Sequence, residues 1–299
     1  MRLLAPLKRA FYFPPVQALV AFFWIAIFMA LAESLVRAFM PATSLLVSLA
    51  LAPGALVGYY TFVRIIERRD VPELCSPGAP GELLLGLTLG AALMSLVVAV
   101  IFIAGAYSVN GFNSPEVAVP ALVAAVMAGV TEELLSRAAV FRIIERWLGS
   151  WITLGLTAAL FAVMHIPNPN ATAFSTLSVA VGGGLMLCAA YMTTRHIWLP
   201  IGIHIAWNFF QGGVFGAATS GVEISGLLQS NLYGPAYLSG GAFGPEGSIV
   251  AFIAFALAAS LLLIFANRRG QFVRGYRWSR HDHDGPLTDS EISVRALPP

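Results

Sequence analysis

The chain has 299 residues, 58% of them hydrophobic and only 11% charged. A soluble domain carries about 25% charged residues, so this composition excludes an ordinary soluble fold and indicates a polytopic membrane protein. The formal net charge is +2 and 16 of the 17 basic residues are Arg, but they form no charged stripe on a soluble face of the kind that binds nucleic acid. Cys75 and Cys188 are the only cysteines, and they form neither a disulfide framework nor a CxxC metal spacing.

Apolar stretches long enough to span occur near 16–39, 43–63, 82–106, 117–137, 152–166, 174–193, 197–215 and 248–266. A span needs about 20 residues, so the fifth, closed by His165-Ile166-Pro167-Asn168-Pro169-Asn170, is short. The expected fold is all-α with about eight transmembrane helices. The first apolar run is too long for a signal-peptide core and lacks a cleavage pattern, so it reads as a retained span.

Arg2, Lys8 and Arg9 precede span one, Arg64, Arg68 and Arg69 follow span two, and Arg142 and Arg146 follow span four. Arg195 follows span six, and Arg268, Arg269, Arg274, Arg277, Arg280 and Arg295 follow span eight. The opposite loops, 107–116, 167–173 and 216–247, contain no Lys or Arg. The positive-inside rule then puts both termini in the cytoplasm.

Span four begins at Ser114-Pro115-Glu116, a good helix start, and its pattern runs to Leu148 before Gly149. That is roughly 50 Å of helix, longer than a bilayer core, so Phe141–Trp147 is expected to project as a cytoplasmic extension. The Gly-rich stretch after span seven, ending in Gly241–Ser248, reads as an external loop or one that dips into the membrane. From about Gln271 onward the chain reads as a basic juxtamembrane segment and then a disordered tail. The expected division is 1–107 for the first three spans, 114–266 for the helical core that holds the chemistry, and 267–299 for the tail.

Within span four stands Thr131-Glu132-Glu133-Leu134-Leu135-Ser136-Arg137. Three ionised groups inside a membrane helix are expensive and mark function. Glu133 and Arg137, at i and i+4, form a helical ion pair. Glu132 points about 100° away and is left unpaired.

His165 closes span five, and His204 lies early in span seven with Asn208 one turn on. Glu132 is 17 residues before Gly149 and His165 is 16 after it, so antiparallel packing of the two helices brings them level. His204 joins that level only if the hairpin between spans four and five projects into the cytoplasm.

One carboxylate, two imidazoles and an amide in a partly dry cavity make a water-activating site. Glu132 would be the general base and Asn208 an oxyanion donor. Glu132, His165 and His204 could instead hold Zn²⁺, and the sequence does not separate the two arrangements.

Glu132-Glu133-x-x-x-Arg137, Phe161-x-x-x-His165 and His204-x-x-x-Asn208, in that order on separate helices, resemble the motifs of the CPBP family. These are the CAAX-protease and bacteriocin-processing membrane endopeptidases, also called Abi or type II CAAX prenyl endopeptidases. The resemblance covers roughly Val119 to Gln211 and departs at Ala138, where the family often has glycine. It implies that Glu132 is the activating residue, that His165, His204 and Asn208 complete the site, and that Glu133 and Arg137 are a structural pair.

The expected activity is hydrolysis of a peptide bond near the C-terminus of a membrane-anchored or lipidated substrate, at a site opening toward the cytoplasm. A bacteriocin-immunity or scaffold protein of the same fold is the rival reading, and an ion-coupled carrier is a third. The Arg-rich, Lys-poor, Ala-rich composition fits a bacterial cytoplasmic membrane. Gly182-Gly183-Gly184 reads as a helix-packing device, Glu33 with Arg37 as a packing pair, and His281-Asp282-His283-Asp284 as a solvated segment.

Overall fold

The computed structural model describes residues 13–41 and 44–275. Among these, eight long helices follow one another. They are α1 (Pro14–Arg37), α2 (Leu45–Glu67), α3 (Ala79–Ile103), α4 (Pro115–Leu148), α5 (Ser150–His165), α6 (Ala173–Thr194), α7 (Trp198–Asn208, continued as a π-helix over Phe209–Val214) and α8 (Ile249–Arg268). Six of them are long and apolar enough to cross a bilayer, while α5, at 16 residues, is apolar but shorter. The chain is an all-α polytopic membrane protein.

The outward faces show why this fold needs lipid. α1 exposes Leu19, Phe23 and Leu31 while burying Ala18, Ala21 and Ile25, and α8 exposes Leu257 and Leu261 while burying Phe255 and Ala259. Helices that are apolar all round belong in a hydrocarbon solvent.

Small residues set how closely such helices approach. α3 lies against α7, where a Cβ on Gly86 would come within 2.4 Å of the Leu199 carbonyl oxygen and one on Gly90 within 2.3 Å of the Ile203 carbonyl oxygen. Neither backbone can retreat without parting the two helices. Gly90→Leu is therefore expected to destabilise the protein by about 1–3 kcal/mol or more, read as a lower unfolding temperature in detergent.

Where two backbone segments leave the bundle at the end without Lys or Arg, they pair with each other. β1 (Tyr107–Phe112) and β2 (Leu228–Leu232) form an antiparallel pair with Tyr107 opposite Leu232 and Phe112 opposite Leu228. The sequence led us to expect plain loops there. Pairing satisfies N–H and C=O groups that would otherwise go without partners at the membrane edge.

The last turns of α4, expected to project on the cytoplasmic side, are packed against neighbouring elements, with Arg142 and Glu145 both buried. Arg142 Nη2 lies 2.9 Å from Glu67 Oε2, its Nε donates to the Ala138 carbonyl at 2.8 Å, and Arg195 pairs with Glu145 at 2.5 Å. A long polar helix end stays dry when each charge has an opposite partner.

Glu73, in the loop after α2, belongs to the same network. Burial alone would push its carboxyl up, but the Arg142 and Arg69 guanidiniums prevail and hold it below the usual carboxylate range.

The α4–α5 turn gathers both ends of the described bundle. Phe13 packs edge-on against Trp147 with ring centroids 5.3 Å apart, and Ser150 N donates to the Val273 carbonyl at 2.9 Å. The first residues of the expected tail, 271–275, are thus packed. Arg2, Lys8, Arg9, Arg277, Arg280, Arg295 and His281-Asp282-His283-Asp284 lie outside the described residues.

Four helices change winding. α2 becomes π-helical over its last residues, Phe62–Glu67, α4 over Leu134–Phe141, α6 over Ala180–Met186, and α7 is continued so over Phe209–Val214; the last three of these stretches adjoin the site residues. Such stretches re-aim side chains and recur at functional sites. Those of α4, α6 and α7 begin directly after Glu133, run through the glycine triplet, and begin directly after Asn208.

Candidate active site

Glu132 and Glu133 are the last residues of the α-helical part of α4, and they diverge as their spacing requires. The Glu133 side chain is fully buried, whereas that of Glu132 is 40% exposed. Glu133 Oε1 accepts from Arg137 Nη1 at 2.8 Å, the expected i,i+4 pair. The same oxygen lies 2.8 Å from His204 Nδ1. That contact is not legible in the motif, and it makes the pair more than a packing device. Facing a carboxylate, Nδ1 carries the ring hydrogen, and in the neutral ring Nε2 is then the acceptor nitrogen. His204 Nε2 lies 4.0 Å from Glu132 Oε2.

The second histidine is held by a different route from the same arginine. The Arg137 guanidinium lies over the Phe161 ring, 5.0 Å from its centroid, and Phe161 stacks on His165 with centroids 4.5 Å apart and planes at 25°. His165 Nδ1 is 2.8 Å from the Phe161 carbonyl oxygen, so Nε2 is again the acceptor nitrogen.

Gly183 makes room for this stack, because a Cβ there would sit 2.2 Å from Phe161 Cε1. Gly184 accepts from Arg137 Nη2 through its carbonyl at 3.4 Å and packs on Ala158. The triplet is a close-packing device, as its composition suggests. Ala138 is fully buried within the π-helical stretch of α4 and takes no part in the cavity.

Glu132, His165, His204 and Asn208 line one small cavity of about 50 Å³, enough for one or a few waters. A second cavity of about 440 Å³ shares Glu132, Phe161, His165, Asn208 and Ser220 with it. Its other walls are mostly apolar. They follow α4 from Ala121 to Val140 and α5 from Leu160 to His165, with Phe22 of α1 opposite. This groove meets the site from the side, between helices, rather than only from the arginine-rich end.

Two residues with side-chain oxygens line the cavity from outside the three motifs. Ser220 and Glu246 come from the Gly-rich stretch between α7 and α8, which folds back against the cavity. Glu246 is buried at 4% exposure. The available signal was a lone carboxylate beside Gly and Pro in a segment without Lys or Arg.

Among the described residues, no three His, Cys, Asp or Glu side chains form a group that could hold a metal ion. His204 Nδ1 faces Glu133 and His165 Nδ1 a carbonyl, the outer contacts that ligating histidines also have, but as placed their Nε2 atoms do not form a three-donor group with Glu132.

Neither the curated proteins nor the solved structures include a match to the chain. The family implied by the motifs is one of membrane proteases, and helices α4 to α7 carry it. Residues 114–210, the segment that holds Glu132, His165, His204 and Asn208, match the family model described as type II CAAX prenyl endopeptidase Rce1-like, in agreement with the resemblance carried by those motifs.

Proposed function

We propose that the protein is an intramembrane endopeptidase that cleaves a peptide bond near the C-terminus of membrane-anchored or lipidated substrates. One observation carries this reading. Glu132 Oε2 faces His204 Nε2 across 4.0 Å in a cavity that opens into the apolar groove between α4 and α5. That separation is too long for a direct hydrogen bond and suits a bridging water.

Glu132 takes a proton from this water while His204 Nε2 accepts its second hydrogen and orients it. The oxygen attacks the peptide carbonyl, and the Asn208 amide donates to the oxyanion that forms. Glu132 then returns the proton to the leaving amine, so water and one peptide bond become a carboxylate and an amine. His165, with Nε2 as its acceptor nitrogen, serves the same water or the leaving amine. The groove takes the acyl or prenyl chain of a lipidated substrate, or the apolar helix of an anchored one.

No step here is routed through a metal, because among the described residues no three His, Cys, Asp or Glu side chains form a metal-binding group. Both ends of the described bundle share the arginine-rich end, which supports a cytoplasmic location for that end. A bacterial cytoplasmic membrane is the location we infer from composition.

The test uses protein purified in detergent and a quenched-fluorescence lipopeptide library. Wild type is expected to cleave, and Glu132→Ala and His204→Ala to be inactive though folded. Zinc read from the same samples is expected to be well below one per chain. Stoichiometric zinc lost in His204→Ala would replace the metal-free mechanism, and silence of all three folded proteins would favour a non-catalytic partner-binding role.

A further inference from the structure

Among the described residues, the buried Glu246 carboxylate has no basic side chain bonded to it. Its Oε2 accepts from Trp207 Nε1 at 3.0 Å, and its Oε1 accepts from both the backbone N–H of Ser220 at 2.5 Å and Ser220 Oγ at 2.8 Å. Its own carbonyl accepts from Ser178 Oγ on α6 at 2.5 Å. Trp207 precedes Asn208, so one side chain ties this Gly-rich segment to the helix that carries His204 and Asn208.

What it holds is unusual. Ser220 adopts φ +49°, a left-handed conformation that non-glycine residues rarely take and that the surroundings must enforce. It forms the tip of a tight turn in which Thr219 and Val222 exchange two 2.9 Å backbone hydrogen bonds. At the next residue, Gly221 (φ +82°), a Cβ would come within 1.7 Å of the Pro169 carbonyl oxygen, so the tip is wedged against the segment after His165.

Ser220 is also one of the few residues common to the catalytic cavity and the apolar groove, the others being Glu132, Phe161, His165 and Asn208. A substrate chain passing from groove to cavity must pass it. With its hydroxyl hydrogen given to Glu246, Ser220 Oγ has only acceptor capacity left. A peptide in extended form offers backbone N–H groups that need acceptors once they leave water.

We infer that Ser220 Oγ accepts a hydrogen bond from a peptide N–H of the substrate beside the scissile bond, and that Glu246 is the positioning residue that fixes it there. This rests on the proteolytic reading above. It predicts selection for an amide at one backbone position, independent of side chains.

The experiment takes the best peptide from the library and replaces the amides flanking the scissile bond by esters, one at a time. For wild type, one ester analogue should lose roughly tenfold in kcat/KM, as expected for one hydrogen bond in a dry site. Ser220→Ala and Ser220→Gly, the second compatible with the left-handed backbone, should cleave the all-amide peptide at that lower level and lose nothing further on the ester. Glu246→Leu should reproduce the pattern, because it leaves Ser220 Oγ no acceptor to hold it. Equal losses on every analogue, or none on any, would reduce Ser220 and Glu246 to scaffolding and overturn the inference while Glu132-dependent cleavage stands. A folded wild type that cleaves no peptide overturns both readings together.

Discussion

Glu132→Gln should abolish peptide hydrolysis and leave the fold intact. The side chain is 40% exposed and faces the cavity, so the isosteric amide removes the base without opening a void or stranding a buried charge. Loss of a positioned general base costs about 10²–10⁴-fold, and here the same group also returns the proton to the leaving amine. A drop in kcat of about a thousandfold or more, with an unchanged unfolding temperature, is the expected reading. His204→Ala should cost about as much, and the double variant little more than either, because the two residues hold one water and act as a unit. Independent, multiplying losses would mean that they do not share it.

The second large effect belongs to Glu133. Replacing it by Gln leaves Arg137, 1% exposed, without its carboxylate and takes from His204 the partner that sets its tautomer. Breaking one side of a buried pair costs about 3–5 kcal/mol, which in detergent should appear as a marked fall in unfolding temperature. Removing both charges, as in Glu133→Gln with Arg137→Met, should restore much of that stability, since matched apolar replacement of a buried ion pair is often near neutral. Activity should not return with it. His204 Nδ1 would face an amide rather than a carboxylate, and Phe161 would lose the guanidinium above it. If the double variant regains both stability and activity, the pair is structural support alone.

These two predictions separate roles that adjacent glutamates play on one helix. The α-helical spacing at 132 and 133 turns one carboxylate into the cavity and the other into the core, and the π-helical stretch that follows does not disturb the 2.8 Å contact between Glu133 and Arg137. The arginine in turn reaches both histidines, His204 through Glu133 and His165 through Phe161. A single buried pair thereby orients two side chains on two other helices.

Much of this was readable from residues alone, for definite reasons. Low charge and long unbroken apolar runs indicate a bundle of membrane helices, because a helix closes its backbone hydrogen bonds in lipid within one segment, whereas the strands of a closed barrel would alternate in polarity. Charged residues at Glu132, Glu133 and Arg137 announced a site because burying them without purpose is too costly. The i,i+4 spacing determined the ion pair, and the shared motif order brought His165, His204 and Asn208 into question together. What the tertiary structure alone decided involves partners far apart in the chain. Glu67, Glu73 and Glu145 neutralise arginines up to 75 residues away, which keeps the end of α4 in the core rather than in water. Glu133 bonds His204 across 71 residues, and Glu246 reaches Ser220 and Trp207 across 26 and 39. Periodicity reports which face of a helix is apolar; it carries no record of which distant polar group a buried carboxylate will meet, because that choice is made by the packing of whole helices.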